Sequence, residues 1–341
     1  MTNEERIAAI QKFGYTEREA AFLCLAALHG GYFLRRQYNT FLQHRPGGTA
    51  DRLIEKAVIQ GHVRIHESPD RTFIYHIRAK SLFEAMGEED NRNRRWRRPY
   101  SVKVKLMGLD FVLAHSEHRY LATETEKLEF FVGALGLKRE WLPLRIYRSR
   151  DGRTQTTRYF VDKFPLFLSG ASSAPAPVVT FCYVDGNLGK PAGFDTHLLE
   201  YRQLFGRLES VQVVYVSTDQ RTFAKAERIF RHLCGTLAAK SARVPSDPDL
   251  GRLLGHFRVR VLLERRETAC FDKQQLDRLR DELREFRGPE HEELYKIWRE
   301  HGDGAVLCGM QGVSTGSATL AAYRLDHDYG FFGPLPRGVP A

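Results

Sequence analysis

Residues 49–77 read TADRLIEKAVIQGHVRIHESPDRTFIYHI, and this stretch decides how the first third of the chain folds. Leu53, Ile54, Ala57 and Val58 recur at the three- and four-residue spacing of a helix that buries one face. Thr49 stands at the capping position, and Gly61 at the stop. Residues 62–66 (HVRIH) then alternate, 67–71 (ESPDR) turn, and 72–77 (TFIYHI) alternate again, the pattern of a β-hairpin. Immediately upstream, HRPGG (44–48) cannot continue a helix, because Pro46 lacks an N–H and the glycines permit a tight turn.

Working outward, a short helix is expected from Glu4 to Phe13, ended by Gly14. In the next segment Thr16 and Glu19 have capping-box spacing. Phe22, Leu23, Leu25, Ala26 and Leu28 follow as a broad buried face, and Gly30–Gly31 closes it. Leu34, Tyr38, Phe41 and Leu42 mark a second core helix that starts at Arg35 and Arg36. The order helix, helix, turn, helix, hairpin is that of a winged helix-turn-helix, expected over residues 1–90. In that arrangement the helix beginning at Thr49 lies in the major groove of DNA. Its outward positions are read as Thr49, Ala50, Arg52, Glu55 and Lys56. Thr49, Arg52 and Lys56 suit base-edge and phosphate contacts. Arg64 and Arg71 flank the wing, and Arg35 and Arg36 stand where backbone contacts are usual. Arg52, Leu53, Gly61 and Val63 also resemble the helix-plus-wing segment of many bacterial winged-helix regulators.

Charge supports a polyanion partner. Residues 1–105 carry 19 Lys and Arg against 12 Asp and Glu, whereas the remainder carries 33 against 30. The excess is densest in RNRRWRRP, where Arg92, Arg94, Arg95, Arg97 and Arg98 surround Trp96. Residues 91–100 are therefore expected to be a basic linker that neutralises phosphates, with Trp96 able to stack. The five cysteines are scattered, without CxxC or zinc spacing, and read as buried free thiols. No apolar run approaches a bilayer span and the first residues do not resemble a signal peptide, so a soluble, cytoplasmic protein is expected.

Residues 101–330 are expected to be an α/β domain, making the whole chain α+β, with an irregular tail over 331–341. Helices are expected over 101–118 and 123–137, the latter capped near Thr123 or Thr125. The segments around 142–149 and 156–170 are β-like, and PVVTFCYVD (177–185) is a buried strand. A helix (194–208), a strand (211–218) and another helix (222–237) follow. FRVRVLLE (257–264) alternates as a strand, and 272–287 is a charged helix offering a surface for homodimerisation.

Asp162 and Asp185 follow strands, the placement of Mg²⁺-binding carboxylates in nucleases. Val184–Asp185 lacks the lysine two places on that such sites use, so the sheet is read as nuclease-like but inactive, and no metal or cofactor is expected. The layout over residues 15–235 also resembles the replication-relaxation family of bacterial plasmids and mobile elements. Asp185, Tyr201, Leu204 and Arg221 carry that resemblance, while Tyr183 stands where the family has glutamate. The resemblance implies DNA binding in replication or transfer of a mobile element. A double-stranded-DNA-binding protein, acting as a regulator or an accessory factor, is the leading expectation. A metal-dependent nuclease using Asp162 and Asp185 is the alternative, and a protein-interaction module, favoured by Glu55 on the exposed helix face, is the third.

Overall fold

The structure, a computed structural model, describes residues 1–43, 48–149, 155–161, 164–169, 178–186, 192–239, 247–264, 282, 285–286, 288–301, 317–327 and 329–332. The protein is a mixed α/β fold with several sheets.

Helices α1 (Asn3–Gln11) and α2 (Glu17–His29) each begin at a full capping box, Thr2 with Glu5 and Thr16 with Glu19. After α2 come β1 (Tyr32–Phe33), α3 (Arg35–Phe41), α4 (Thr49–Ile59), β2 (Val63–Glu67), β3 (Phe73–Ile77) and α5 (Lys80–Ala85). The strands form an antiparallel sheet in the order β1-β3-β2. Its inner face supplies Phe33, Val63, Tyr75 and Ile77 to a core shared with Phe22, Leu23, Leu53, Leu82 and Phe83. β1 was not expected: two residues are too few to show alternation, and only pairing with Tyr75 and His76 makes them a strand.

α4 differs in phase from its sequence reading. Gly48, not Thr49, is the N-cap, and the buried stripe is Ala50, Leu53, Ile54 and Ala57. Ala50 is therefore inside rather than outward. Val58 sits at the rim, because a stripe beginning at residue 50 closes at 57 under 3.6-residue periodicity.

The second sheet has five strands in the order β10-β9-β8-β7-β4. They are β4 (Arg119–Tyr120), β7 (Leu166–Ser169), β8 (Val178–Val184), β9 (Ser210–Ser217) and β10 (Ser317–Arg324). β8, β9 and β10 run parallel, β7 pairs antiparallel with β8, and β4 pairs antiparallel with β7. Strict alternation places Phe181, Tyr183, Val213 and Tyr215 on one face and Cys182, Val184, Val214 and Val216 on the other. The first face is covered by α8 (Ala192–Phe205) and α9 (Phe223–Ala239), through Phe194, Leu198, Tyr201, Leu204 and Phe230. The second is covered by α6 (Pro99–Ala114), whose Val102, Leu106, Met107 and Phe111 pack there while Leu109 enters the N-terminal core. α6 is thus shared between the two cores. β10 was not anticipated, because SATLAAYR shows little alternation of its own.

The expected helix after Thr123 is α7 (Glu124–Leu128), continued by a π-type turn over Glu129–Ala134, and Thr123 with Glu126 forms its capping box. β5 (Leu144–Arg148) and β6 (Gln155–Tyr159) form a separate hairpin. The expected strand 257–264 is instead the end of a helix, α10 (Asp247–Glu264). FRVRVLLE satisfies both a two-residue and a four-residue period. The latter prevails because Leu253, Phe257 and Val261 meet Phe286, Tyr295 and Trp298, the last two from α11 (Pro289–His301). Most of the charged segment 272–287 and residues 333–341 lie outside the described residues. Cys24, Cys182 and Cys234 are buried free thiols. Among the described residues no helix is long and apolar enough to cross a membrane.

Candidate nucleic-acid interface

The arginine-rich segment is not a loose linker. Asn91 accepts the Asn93 N–H at 3.0 Å and opens a 3-10 turn over Arg92–Arg94. This turns Asn93 inward, where it is 1% exposed. Asn93 Nδ2 donates to the Ala27 and Leu28 carbonyls at 2.9 and 3.0 Å, satisfying oxygens that the end of α2 leaves open. Asn93 Oδ1 accepts Lys105 Nζ at 2.8 Å, and the Asn93 carbonyl lies 3.1 Å from His76 Nε2. Gly31 makes this approach feasible: its φ is +80°, and a Cβ there would lie 2.5 Å from the Asn93 carbonyl oxygen. Tyr32 then clamps the far side, its hydroxyl donating to the Arg95 carbonyl at 3.1 Å and accepting the Arg97 N–H at 3.0 Å.

The segment is therefore laid across the outer face of the β1-β3-β2 sheet. Trp96 packs on His66 with ring centres 4.0 Å apart yet remains 53% exposed. Arg64, His66, His76, Arg78, Arg94 and Trp96 together line an open hollow, with no carboxylate among them. Burial holds both imidazoles below their usual titration range, and the neighbouring arginines add to the effect; His76 is pushed down to about 4. The fixed positive charge of the hollow at neutral pH thus belongs to the arginines. Sequence reasoning missed Arg78, His66 and His76. The signal was present: 64 and 66 on one strand and 76 and 78 at the end of the other share a face by two-residue alternation.

The remaining sequence-identified residues divide. Thr49 and Arg52 are exposed on α4, in company with Asp51, Glu55 and the 77%-exposed Ile59. Arg71 is exposed at the turn between β2 and β3 with φ +66°. Hydrogen bonds among Ser68, Asp70 and Thr72 hold that turn. Arg95 and Arg98 are exposed, and Arg94 and Arg97 are half-buried. Arg35 pairs at the surface with Asp51 at 2.7 Å.

Arg36 and Lys56 are half-buried and paired with carboxylates. Arg36 makes a two-pronged pair with Asp110 at 2.7 and 2.6 Å. Asp110 also accepts the Tyr329 hydroxyl and Gln37 Nε2, the latter at 2.9 Å. Lys56 Nζ turns back to Glu19 at 2.7 Å and the Gly14 carbonyl at 3.3 Å, and lies 5.4 Å from the centre of the Tyr15 ring. Both cations answer carboxylates brought from distant parts of the chain, which local sequence pattern does not disclose.

Of the two carboxylates considered for metal binding, Asp162 lies outside the described residues. Asp185 is 3% exposed at the end of β8, where it accepts the Tyr215 hydroxyl. No group of three or more potential metal ligands occurs among the described residues. Tyr201 and Leu204 are buried against the sheet, and Arg221 pairs with Asp219 at 2.9 Å on the surface. No family model matches the chain, and neither curated proteins nor solved structures provide a match.

Proposed function

We propose that the protein binds double-stranded DNA, with residues 1–90 acting as a winged helix-turn-helix and the arginine segment as part of the same surface. The observation that carries this reading is the hollow of Arg64, Arg78, Arg94 and Trp96, in which three arginines and an exposed indole stand on one face with no carboxylate among its lining residues. Guanidinium groups gathered on one face neutralise phosphates and can bind them through paired N–H donors. Arg52 on α4 is the side chain for base-edge contact. Arg36 and Lys56 support the fold rather than touching DNA, since both are committed to internal carboxylates. The resemblance to the replication-relaxation family makes plasmid or mobile-element DNA the proposed target, in a regulatory or accessory role. A homodimer on such a site is part of the proposal.

Fluorescence anisotropy with a labelled duplex tests the reading. Affinity should fall steeply between 50 and 200 mM salt, with a log–log slope of about −0.9 per phosphate neutralised. Arg64→Ala and Arg94→Ala should each reduce the slope by about one contact's worth. Salt-independent binding, or none to any duplex from a random library, would refute it.

A further inference from the structure

A cleft of about 400 Å³ opens where the arginine segment and the start of α6 face the β5–β6 hairpin and the end of β8. That size is within the roughly 300–1,000 Å³ of small-molecule sites. Six cations line it, Arg92, Arg97, Lys105, Lys127, Arg145 and Arg158, against the carboxylates of Glu88 and Glu124 among the described residues. Glu124 is engaged by Arg158 at 3.0 Å, and Glu88 by Asn91 at 2.9 Å. Arg145 leans to Glu200 at 3.0 Å, and Lys105 donates to Asn93.

Lys127, Arg97 and Arg92 differ in setting. Lys127 is 4% exposed, its Nζ 5.4 Å from the centre of the Phe160 ring. Arg97 Nε is buried and has no hydrogen-bond partner. The Arg92 guanidinium stacks 4.3 Å from the centre of the Tyr147 ring. Six cations against two carboxylates leave the described lining net positive, which favours an anionic occupant. Tyr100, Tyr147 and Tyr159 also line the walls and offer ring surface beside the charge.

We propose that this cleft binds a phosphate-bearing small ligand of nucleotide size, with Arg97 and Arg158 around the phosphates and the tyrosines beside the rest. A duplex is the less suitable occupant, because about 400 Å³ is the size of a small-molecule site. The site is separate from the hollow on the wing, although the same arginine segment contributes to both: Arg92 and Arg97 here, Arg94 and Trp96 there.

The test is calorimetric titration of the full chain, without DNA, with ATP, ADP and inorganic pyrophosphate. At least one should bind saturably. Arg97→Ala should weaken that ligand about tenfold or more, the usual effect of losing a hydrogen bond to a charged group. Arg158→Ala provides a second variant, at a side chain 28% exposed, should Arg97→Ala fail to fold, and it should weaken binding in the same direction. Arg64→Ala on the wing should leave it unchanged. The proposal is overturned if none of the three ligands binds at millimolar concentration, or if folded Arg97→Ala and Arg158→Ala bind like the parent. It is equally overturned if the two variants lose duplex affinity while no nucleotide binds, which would assign the cleft to DNA. Because the titration contains no duplex, its failure and the failure of DNA binding are independent results.

Discussion

Replacing Asn93 by alanine would separate the arginine segment from the fold while leaving every arginine in the chain. The side chain is 1% exposed and joins three partners: the Ala27 and Leu28 carbonyls at 2.9 and 3.0 Å, and Lys105 Nζ at 2.8 Å. A buried polar group left unpaired costs about 1–3 kcal/mol. Lys105 can reach solvent once released, so the two carbonyls dominate, and a total of about 2–5 kcal/mol is expected. Urea unfolding monitored by circular dichroism reads this loss. Duplex anisotropy across a salt series reads the second consequence. With the segment no longer pinned by Asn93, Arg94 and Trp96 lose their fixed place beside Arg64 and Arg78, and the salt slope should become shallower than in the parent. Gly31→Ala should act in the same direction by a different route, since its Cβ would meet the Asn93 carbonyl oxygen at 2.5 Å at a φ of +80°. A destabilisation of Asn93→Ala below about 1 kcal/mol, together with an unchanged salt slope, would refute the claim that this contact anchors the segment.

Other expectations follow from the same geometry. Arg36→Met should destabilise the fold by about 2–4 kcal/mol, because Asp110 stays buried with only neutral donors; duplex affinity of the folded fraction should not change, and a selective loss of binding would return Arg36 to the interface. Trp96→Ala should weaken duplex binding several-fold without lowering the urea midpoint, and Trp96 fluorescence should respond to DNA in the parent protein. His76 has a folded pKa pushed down to about 4, against 6.5 as its ordinary value. The unfolded chain therefore binds the extra proton first, and the stability due to the neutral ring falls as pH drops from about 6.5 towards 4. About 2 kcal/mol should be lost between pH 7 and pH 5, and His76→Asn should show a smaller difference between urea curves at those two pH values.

Much of the layout was legible because it is local. Thr16 and Thr123 cap helices within four residues of themselves. The alternation in 62–77 and in 178–217 places side chains on opposite faces whatever else the chain does. Those patterns gave the hairpin, the central strands β8 and β9, and the helices between them. Segments with two compatible periods, or too few residues to show one, were not legible: FRVRVLLE became the end of α10, and Tyr32–Phe33 and Ser317–Arg324 became strands only by pairing with neighbours.

By itself, then, the amino-acid order determined the caps of α2 and α7, which strand positions alternate, and that positive charge is concentrated before residue 105. Tertiary structure alone decided which of those charges are available. Arg36 meets Asp110 across 74 residues and Asp110 meets Tyr329 across 219, Lys56 meets Glu19, and the arginine segment is turned onto the β2–β3 hairpin by Asn93 reaching the end of α2. A cation satisfied by a buried carboxylate and a cation facing water are the same letter in a sequence; only the electrostatics of the folded chain, where desolvation must be matched by a partner, tells them apart.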